Sequence, residues 1–320
     1  MMVKYIQAAF LLVVTLLVLA GCSYFENAGE IQNVGMLTDG SIDDPFAEKG
    51  YQGLQEIEET YEVDVYYEEN VRSEQEVRNA VAEFVQDGVN LIFGQSSSYG
   101  NSFAELSTVY PDVHFVYFNG AYVADNVTSM NFDSHAMGFF AGMMAGRASS
   151  NDDVGIIAAF EWQPEIEGFF EGVNYQSPST EVHINFVNDW YDSRTAMDAY
   201  REMRENGVDV FYPVGDAFSE EIVRQAAEDE IYAIGYVSDQ SDISERRVLT
   251  STVQHVDKLY VQAAEQFNNG ELSGSVMTFD FQDDVISLGE FSPNVPPSYQ
   301  EMLHEEIEDY KETGLLPNQE

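Results

Sequence analysis

The chain has 320 residues, 44% of them hydrophobic, and its 57 Asp and Glu residues outnumber 13 Lys and Arg residues, which gives a formal net charge of −44. That apolar content excludes a disordered chain, and the length suffices for two domains of ordinary size. The charge argues against direct nucleic-acid binding, which needs clustered cations. A carboxylate-rich surface of this kind is typical of adaptation to high salt or alkaline surroundings.

The N-terminal segment has the pattern of an export signal. An apolar run from Ala8 to Ala20 is short for a membrane-spanning helix, which needs roughly 20 residues, and the run ends in Leu19-Ala20-Gly21-Cys22, a lipobox. We therefore predict a signal peptide over residues 1–21, lipidation of Cys22, which is the single cysteine, and a lipidated linker over residues 22–30. An uncleaved anchor helix is the alternative, and it would leave the protein on the same membrane.

Short apolar runs alternate with amphipathic stretches from Ile31 to about Phe281, which predicts successive βαβ units. The first strand is predicted over residues 34–37, and the helix after it begins at Pro45. The next helix is predicted to begin with a capping box of Ser73 and Glu76 and to end at Gly88.

The two halves of the chain repeat one pattern. Residues 88–94, a Ser-rich turn, a helix and a strand over 113–118 correspond to residues 207–215, a helix over about 218–228 and a strand over 231–236. The fold class is therefore α/β, with two doubly wound lobes. Each lobe has a Gly-containing turn at the carboxyl end of a strand, where open parallel sheets bind ligands, so we place the ligand site between the lobes.

A glycine-rich helix over residues 137–148 joins the halves. Gly138, Gly142 and Gly146 recur every four positions, as in helices that dimerise in membranes. The short apolar length and Arg147 favour instead close packing of this helix on a sheet.

The sequence contains no catalytic signature: it has no Gly-x-Ser-x-Gly elbow, no Walker loop and no His-Glu-x-x-His motif. The five histidines are far apart without ligand spacing, and His114 and His183 are interpreted as structural. Asp43-Asp44 and Asp283-Asp284 could form a carboxylate pair or a cation site, although capping and turn formation account for them. We predict a binding protein, with no enzymatic activity, no cofactor and no metal.

Segments in order along nearly the whole mature chain, taken together, carry a resemblance. They are 34–39, 42–46, 53–54, 139–142, 154–157, Pro164 with Gly168, Phe169 and Gly172, Trp190 with Asp192, 234–235, 238–240, 250–251 and 256–257. Their order and spacing resemble the basic membrane protein family of lipoproteins, the purine-nucleoside-binding branch of type I periplasmic binding proteins.

This resemblance implies a binding mode as well as a fold. One aromatic side chain from each lobe would stack on the base of a nucleoside, and the matching positions are Phe46 and Trp190. The candidate polar or backbone contacts that it implies are Asp39, Asp44, Asn119, Gly215 and Asp239.

Three positions depart from the family pattern. Ala47 stands where the family favours Asn, Asn119 where it favours Asp, and Val237 where it has an Asp that would contact ribose. A lost hydrogen-bond partner in a desolvated site costs roughly 1–3 kcal/mol, so these changes could abolish nucleoside affinity unless other groups compensate. The departures make the chain similar to the Med-type members of the family, which are described as positive regulators of competence.

We therefore expect a lipid-anchored protein on the extracytoplasmic face of the cell membrane. It would capture a small nucleoside-like ligand between its lobes for an ABC-type permease and its ATPase. The alternative is a Med-like regulatory lipoprotein that keeps the fold without transport and acts indirectly. Lobe 1 is expected over residues 31–132 and 237–272, and lobe 2 over residues 133–236 and 273–320.

Overall fold

The computed structural model describes residues 29–319. The predicted signal peptide, the lipobox and Cys22 lie outside these residues. Within them, no helix combines the length and the apolar character needed to cross a membrane.

The described residues form two six-stranded sheets. The strands in chain order are β1 (Val34–Leu37), β2 (Val65–Glu68), β3 (Leu91–Gly94), β4 (His114–Phe118), β5 (Val127–Phe132), β6 (Asp153–Ala158), β7 (Glu181–Phe186), β8 (Val210–Val214), β9 (Tyr232–Val237), β10 (Val248–Gln254), β11 (Val276–Phe279) and β12 (Ile286–Leu288). The first sheet has the order β11-β5-β4-β3-β1-β2, and the second has the order β12-β10-β9-β8-β6-β7. All pairs are parallel except β10 with β12. The predicted α/β fold with two lobes is confirmed.

Helices cover both faces of each sheet. They are α1 (Pro45–Tyr61), α2 (Glu74–Gln86), α3 (Gly100–Leu106), α4 (His135–Ala148), α5 (Pro164–Gln176), α6 (Ser193–Glu205), α7 (Asp216–Glu228), α8 (Val256–Asn268) and α9 (Pro297–Thr313), with short 3-10 helices at Ser97–Tyr99 and Phe281–Asp283. We call the first sheet with α1, α2, α3 and α8 lobe 1, and the second sheet with α4 to α7 and α9 lobe 2. In lobe 1, α1 packs beside α8.

Local sequence signals explain where the first helices begin. Pro45 is the first residue of α1, where its missing N–H has no intrahelical partner to lose. Ser73 caps α2 by accepting from the Glu76 N–H, while the Glu76 carboxylate accepts from the Ser73 N–H. Gly88 follows α2 with a φ of +81°, a conformation that glycine adopts without the steric cost of a Cβ.

The glycines of α4 pack against a helix, which corrects the expectation that they face a sheet. A Cβ at Gly142 would overlap the Phe169 carbonyl oxygen of α5, and a Cβ at Gly172 of α5 would overlap the Phe139 carbonyl oxygen of α4. Gly138 and Gly168 make the same reciprocal approach. Only glycine lets the two backbones come this close, so the spacing reflects a helix crossing inside lobe 2.

Sheet membership also differs from the predicted lobe boundaries in two strands. β10 lies within residues 237–272, expected in lobe 1, but it pairs with β9 and β12 in the second sheet. Its seven residues are all buried, which suits an interior strand. β11 was expected in lobe 2 but pairs with β5 at the edge of the first sheet, where its partly exposed side chains are tolerated. The chain therefore crosses between the lobes before α4, before α8 and after β11.

Candidate ligand-binding site

A cavity of about 50 Å³ lies between the lobes, at the carboxyl ends of the parallel strands; with the adjoining open solvent the empty space is about 480 Å³. Lobe 1 contributes Phe46, Gln95, Ser96, Ser97 and Asn119; lobe 2 contributes Trp162, Trp190, Tyr191, Asp216, Tyr236, Val237 and Gln254. A second cavity, of about 200 Å³, adjoins the first and shares Asn119, Trp162, Trp190, Tyr236 and Gln254 with it.

The wall of lobe 1 is built around Phe46. This residue is the second of α1, and its ring packs edge-on against Phe118 and Phe132 at centroid distances of 5.8 Å and 6.3 Å. Its carbonyl oxygen accepts a 2.6 Å bond from Gln95 Nε2, while Gln95 Oε1 accepts from the Tyr260 hydroxyl at 2.6 Å. Gln95 therefore fixes the position of the Phe46 backbone.

The wall of lobe 2 is an aromatic cluster on two loops. Trp162 follows β6 and Trp190 follows β7; their ring centroids are 5.9 Å apart at an interplanar angle of 74°. Phe160 stacks on Trp162 at 5.6 Å and meets the edge of Trp190 at 5.3 Å. The Trp190 carbonyl accepts from the Ala217 N–H of α7, which ties this loop to the next helix.

Two hydrogen bonds join the lobes directly beside the cavity. The Phe46 N–H donates to Asp216 Oδ1 at 2.9 Å, and the Tyr191 hydroxyl donates to Asp39 Oδ1 at 2.5 Å. The Arg72 guanidinium lies 5.3 Å from the centre of the Tyr191 ring, and its Nε donates to the Asp39 carbonyl. The lobes are therefore in direct polar contact around the cleft.

Asp216 is a buried carboxyl at the cavity with a raised pKa. It is the first residue of α7 and is 7% exposed, and burial raises the pKa of its carboxyl to about 8, with Asp44 and Asp39 adding repulsion. The Phe46 N–H offsets part of this increase by bonding the carboxylate. A carboxyl with such a pKa can donate or accept a hydrogen bond near neutral pH.

A second buried carboxyl lies below the lobe 2 wall. Glu165 accepts from the Tyr236 hydroxyl at 2.8 Å and from Gln163 Nε2 at 3.2 Å. Burial raises the pKa of Glu165, while these bonds oppose the shift. Tyr236 itself lines the cavity, so this network holds its ring in position.

Three of the residues predicted for the site line the cavity: Phe46, Asn119 and Trp190. Asp39 and Asp44 lie beside it at the contact between the lobes. Asp39 accepts from Tyr191 and from the Ser98 hydroxyl, whereas Asp44 accepts from the Ser41 N–H and has its pKa raised mainly by burial.

The other two predicted residues do not line the cavity. Gly215 is the N-cap residue of α7, and its Cα faces the ring of Phe218, which leaves no room for a Cβ. The Asp239 carboxylate accepts from the Ser251 hydroxyl and from the N–H groups of Ser241 and Glu290. These bonds give Asp239 a role in holding loops of lobe 2.

The three positions that depart from the family pattern have different surroundings. Ala47 is buried in α1, whereas Asn119 and Val237 line the cavity. Val237 has a φ of +66°, a strained conformation for a β-branched residue. Asn119 also has a positive φ, and its Oδ1 accepts from the Phe132 N–H. The hydrocarbon side chain of Val237 makes its part of the wall apolar.

Sequence reasoning missed Trp162, Tyr191 and Asp216. Each follows the carboxyl end of a strand: Trp162 and Tyr191 lie in the loops after β6 and β7, and Asp216 begins α7 after β8. The strand-end rule could therefore have identified them. Asp216 comes directly after Gly215, the neighbouring residue that the sequence analysis predicts for the site.

Comparisons with known proteins agree on the family that the chain resembles. Residues 31–320 match the Bmp family model, described as "ABC transporter substrate-binding protein PnrA-like". The chain is 45% identical over 306 residues to the transcriptional activator protein med of Bacillus subtilis, covering 95% of this chain and 96% of the relative. It is 23% identical to the ABC transporter nucleoside-binding protein BmpA of Lactococcus lactis, covering 89% and 91%.

The structural comparison gives the same picture. A crystal structure of a transcriptional activator of the comK gene from Bacillus halodurans matches with a TM-score of 0.82 and 43% identity, covering 89% of this chain and 99% of the other.

Proposed function

Because this chain belongs to the Bmp family of PnrA-like ABC transporter substrate-binding proteins, we propose that it captures a nucleoside-like aromatic ligand between its lobes on the outer face of the cell membrane. Proteins of this family bind substrates and are not enzymes. Anchoring through lipidated Cys22 and delivery to a permease with its ATPase are parts of the same proposal.

The observation that supports an aromatic ligand is the composition of the cleft walls. Phe46 lies on one side and the Trp162–Trp190 cluster on the other, with polar groups from Asn119 and Asp216 at the margin. Aromatic rings on both walls can stack on a planar base while burying a large area at small entropic cost. The nucleoside-binding relative from Lactococcus lactis is consistent with such a ligand.

Asp216 is a candidate to hydrogen-bond the edge of a nucleoside base. Its raised pKa would let the carboxyl donate to a ring nitrogen or accept from an exocyclic amine. This residue is a candidate to compensate for the polar groups that are absent at Ala47 and Val237.

A second candidate function is regulation without transport. The 45% identity to the Bacillus subtilis activator protein supports it. The net charge of −44 argues against direct contact with DNA. The regulatory role would therefore pass through a membrane partner that senses whether the cleft is open or closed.

Titration calorimetry of the purified protein with adenosine, guanosine, inosine, cytidine and uridine tests the ligand proposal. We expect micromolar or tighter binding of at least one purine nucleoside. Trp190→Ala should weaken that binding at least about tenfold, a loss of roughly 1.4 kcal/mol, because it removes one stacking surface.

Phe170→Ala is the matched control, since it removes an aromatic side chain that is 53% exposed on α5 and does not line the cavity. Folded protein that gives no heat with any nucleoside would contradict the nucleoside proposal and favour the regulatory function. Equal affinities for wild type and Trp190→Ala would remove Trp190 from the site.

A further inference from the structure

A cluster of metal-ligating side chains lies in lobe 2 at the opposite end of the sheet from the cavity. Asp153 begins β6, and Glu181 and His183 lie on the neighbouring edge strand β7. Their ligand atoms are all within 4.8 Å of one another. Asp153 is the first residue of β6, and the loop with Trp162 follows the last residue of that strand. The two ends of β6 are five residues apart, which is about 16 Å along a strand.

Strand pairing explains why these three side chains converge. In the parallel register, Asp153 lies opposite Glu181 and Gly155 lies opposite His183. Residues two apart on a strand share a face, so Glu181 and His183 point the same way as Asp153.

The charges of the cluster favour a cation. His183 Nε2 is 2.7 Å from Asp153 Oδ1, and this is the one ion pair recorded for Asp153 within residues 29–319. Over the same residues, no Lys or Arg lies within ion-pair distance of Glu181. The cluster therefore holds two carboxylates and one imidazole, on a chain with a net charge of −44.

We propose that Asp153, Glu181 and His183 form a binding site for a divalent transition-metal ion, with zinc as the probe. One imidazole nitrogen and two carboxylate oxygens are a ligand set that zinc accepts, with water completing a tetrahedron. Zinc–ligand distances of about 2.1 Å place tetrahedral ligands about 3.4 Å apart, so movements of about 1 Å from the observed positions suffice. Calcium and magnesium prefer all-oxygen sets.

Accessibility and position fit a structural role for the ion. The Asp153 and His183 side chains are 26% and 25% exposed, and Glu181 is exposed, so an ion can enter from solvent. Bound there, it would fasten the edge strand β7 to β6. The cluster is separate from the ligand cavity, and its occupancy is independent of the proposed ligand function.

The test is zinc titration of the purified, chelator-treated protein by calorimetry, with thermal unfolding measured in parallel. We expect one site per chain and a zinc-dependent rise in Tm. His183→Ala or Glu181→Gln should weaken zinc binding at least about tenfold, because each removes one of three ligands. Because Glu181 is exposed, Glu181→Gln should not affect folding, and it tests the site even if His183→Ala folds poorly.

His304→Ala is the matched control, a histidine beside Glu301, Glu305 and Glu308 on α9. It should leave the zinc site intact, and so should Trp190→Ala in the cavity, which separates this proposal from the ligand proposal. Zinc binding that His183→Ala leaves unchanged would overturn the inference. An equal rise in Tm with magnesium would also overturn it, because that would indicate general screening of the acidic surface.

Discussion

Replacing Tyr191 with Phe should shift the protein towards an open form. The hydroxyl of Tyr191 donates to Asp39 across the cleft at 2.5 Å, and Phe removes this bond while keeping the ring beside Arg72. A hydrogen bond to a charged group contributes about 1.5–3 kcal/mol. Since Tyr191 is only partly buried, we take the lower value, which corresponds to about a tenfold change in the ratio of closed to open forms.

Small-angle scattering of the protein without ligand measures this change directly. The variant should have a larger radius of gyration than wild type, because the lobes separate when the contact is lost. If a nucleoside binds, its dissociation constant should also rise, since the competent closed form is less populated.

Tyr200→Phe provides the matched control. The Tyr200 hydroxyl donates to Asp229 Oδ2 at 2.8 Å, and both residues belong to lobe 2. This variant loses the same kind of bond within one lobe, so it should lower Tm without enlarging the particle. Identical scattering from wild type and Tyr191→Phe would refute a role for the Tyr191–Asp39 bond in closure.

Two further predictions concern stability. Burial raises the pKa of Asp216 to about 8 in the folded chain, from an ordinary value near 4, so its contribution to stability is fully present below about pH 4 and is lost as pH rises through about 8. Asp216→Asn, which keeps an oxygen for the Phe46 N–H, should therefore raise Tm more at pH 9 than at pH 5 in scanning calorimetry. Asp198→Asn, at an exposed position, is the control and should shift Tm equally at both pH values. An equal shift for Asp216→Asn would contradict the prediction. Gly142→Ala should lower the free energy of unfolding by about 1–3 kcal/mol, because its Cβ would overlap a carbonyl of α5. Gly146→Ala is the control on the same helix: its Cβ would lie 3.3 Å from the nearest atom, so it should lower the free energy of unfolding in urea by less. Equal losses of stability in the two variants would contradict the closer approach of the helices at Gly142.

Features set by neighbouring residues were predictable from the sequence. The strand Val34–Leu37, the helix start at Pro45 and the Ser73–Glu76 capping box all occur as predicted, since each depends on residues a few positions apart. The repeated strand–helix pattern in the two halves of the chain was also sufficient to predict the two-lobe fold.

Features that depend on which distant segments meet were not predictable in the same way. The alternation of apolar and amphipathic stretches predicts βαβ units up to about Phe281, but it does not specify which sheet β10 and β11 join. Asp239 and Asp216 both follow strands of lobe 2, yet Asp239 is bonded by Ser251 and Glu290 while Asp216 faces the cavity. The convergence of Asp153 with His183 likewise depends on strand register.

The crossing of β11 into the first sheet has a consequence for the order of folding. Lobe 1 begins at the N-terminal side of the chain, but its edge strand and α8 come from residues 256–279, after every parallel strand of lobe 2. As the chain emerges progressively, the second sheet acquires β6 to β10 before the first sheet is complete. Until residue 279 emerges, the β5 edge stays open to a strand from another copy, so this protein depends on a late-arriving segment to protect an early-formed edge.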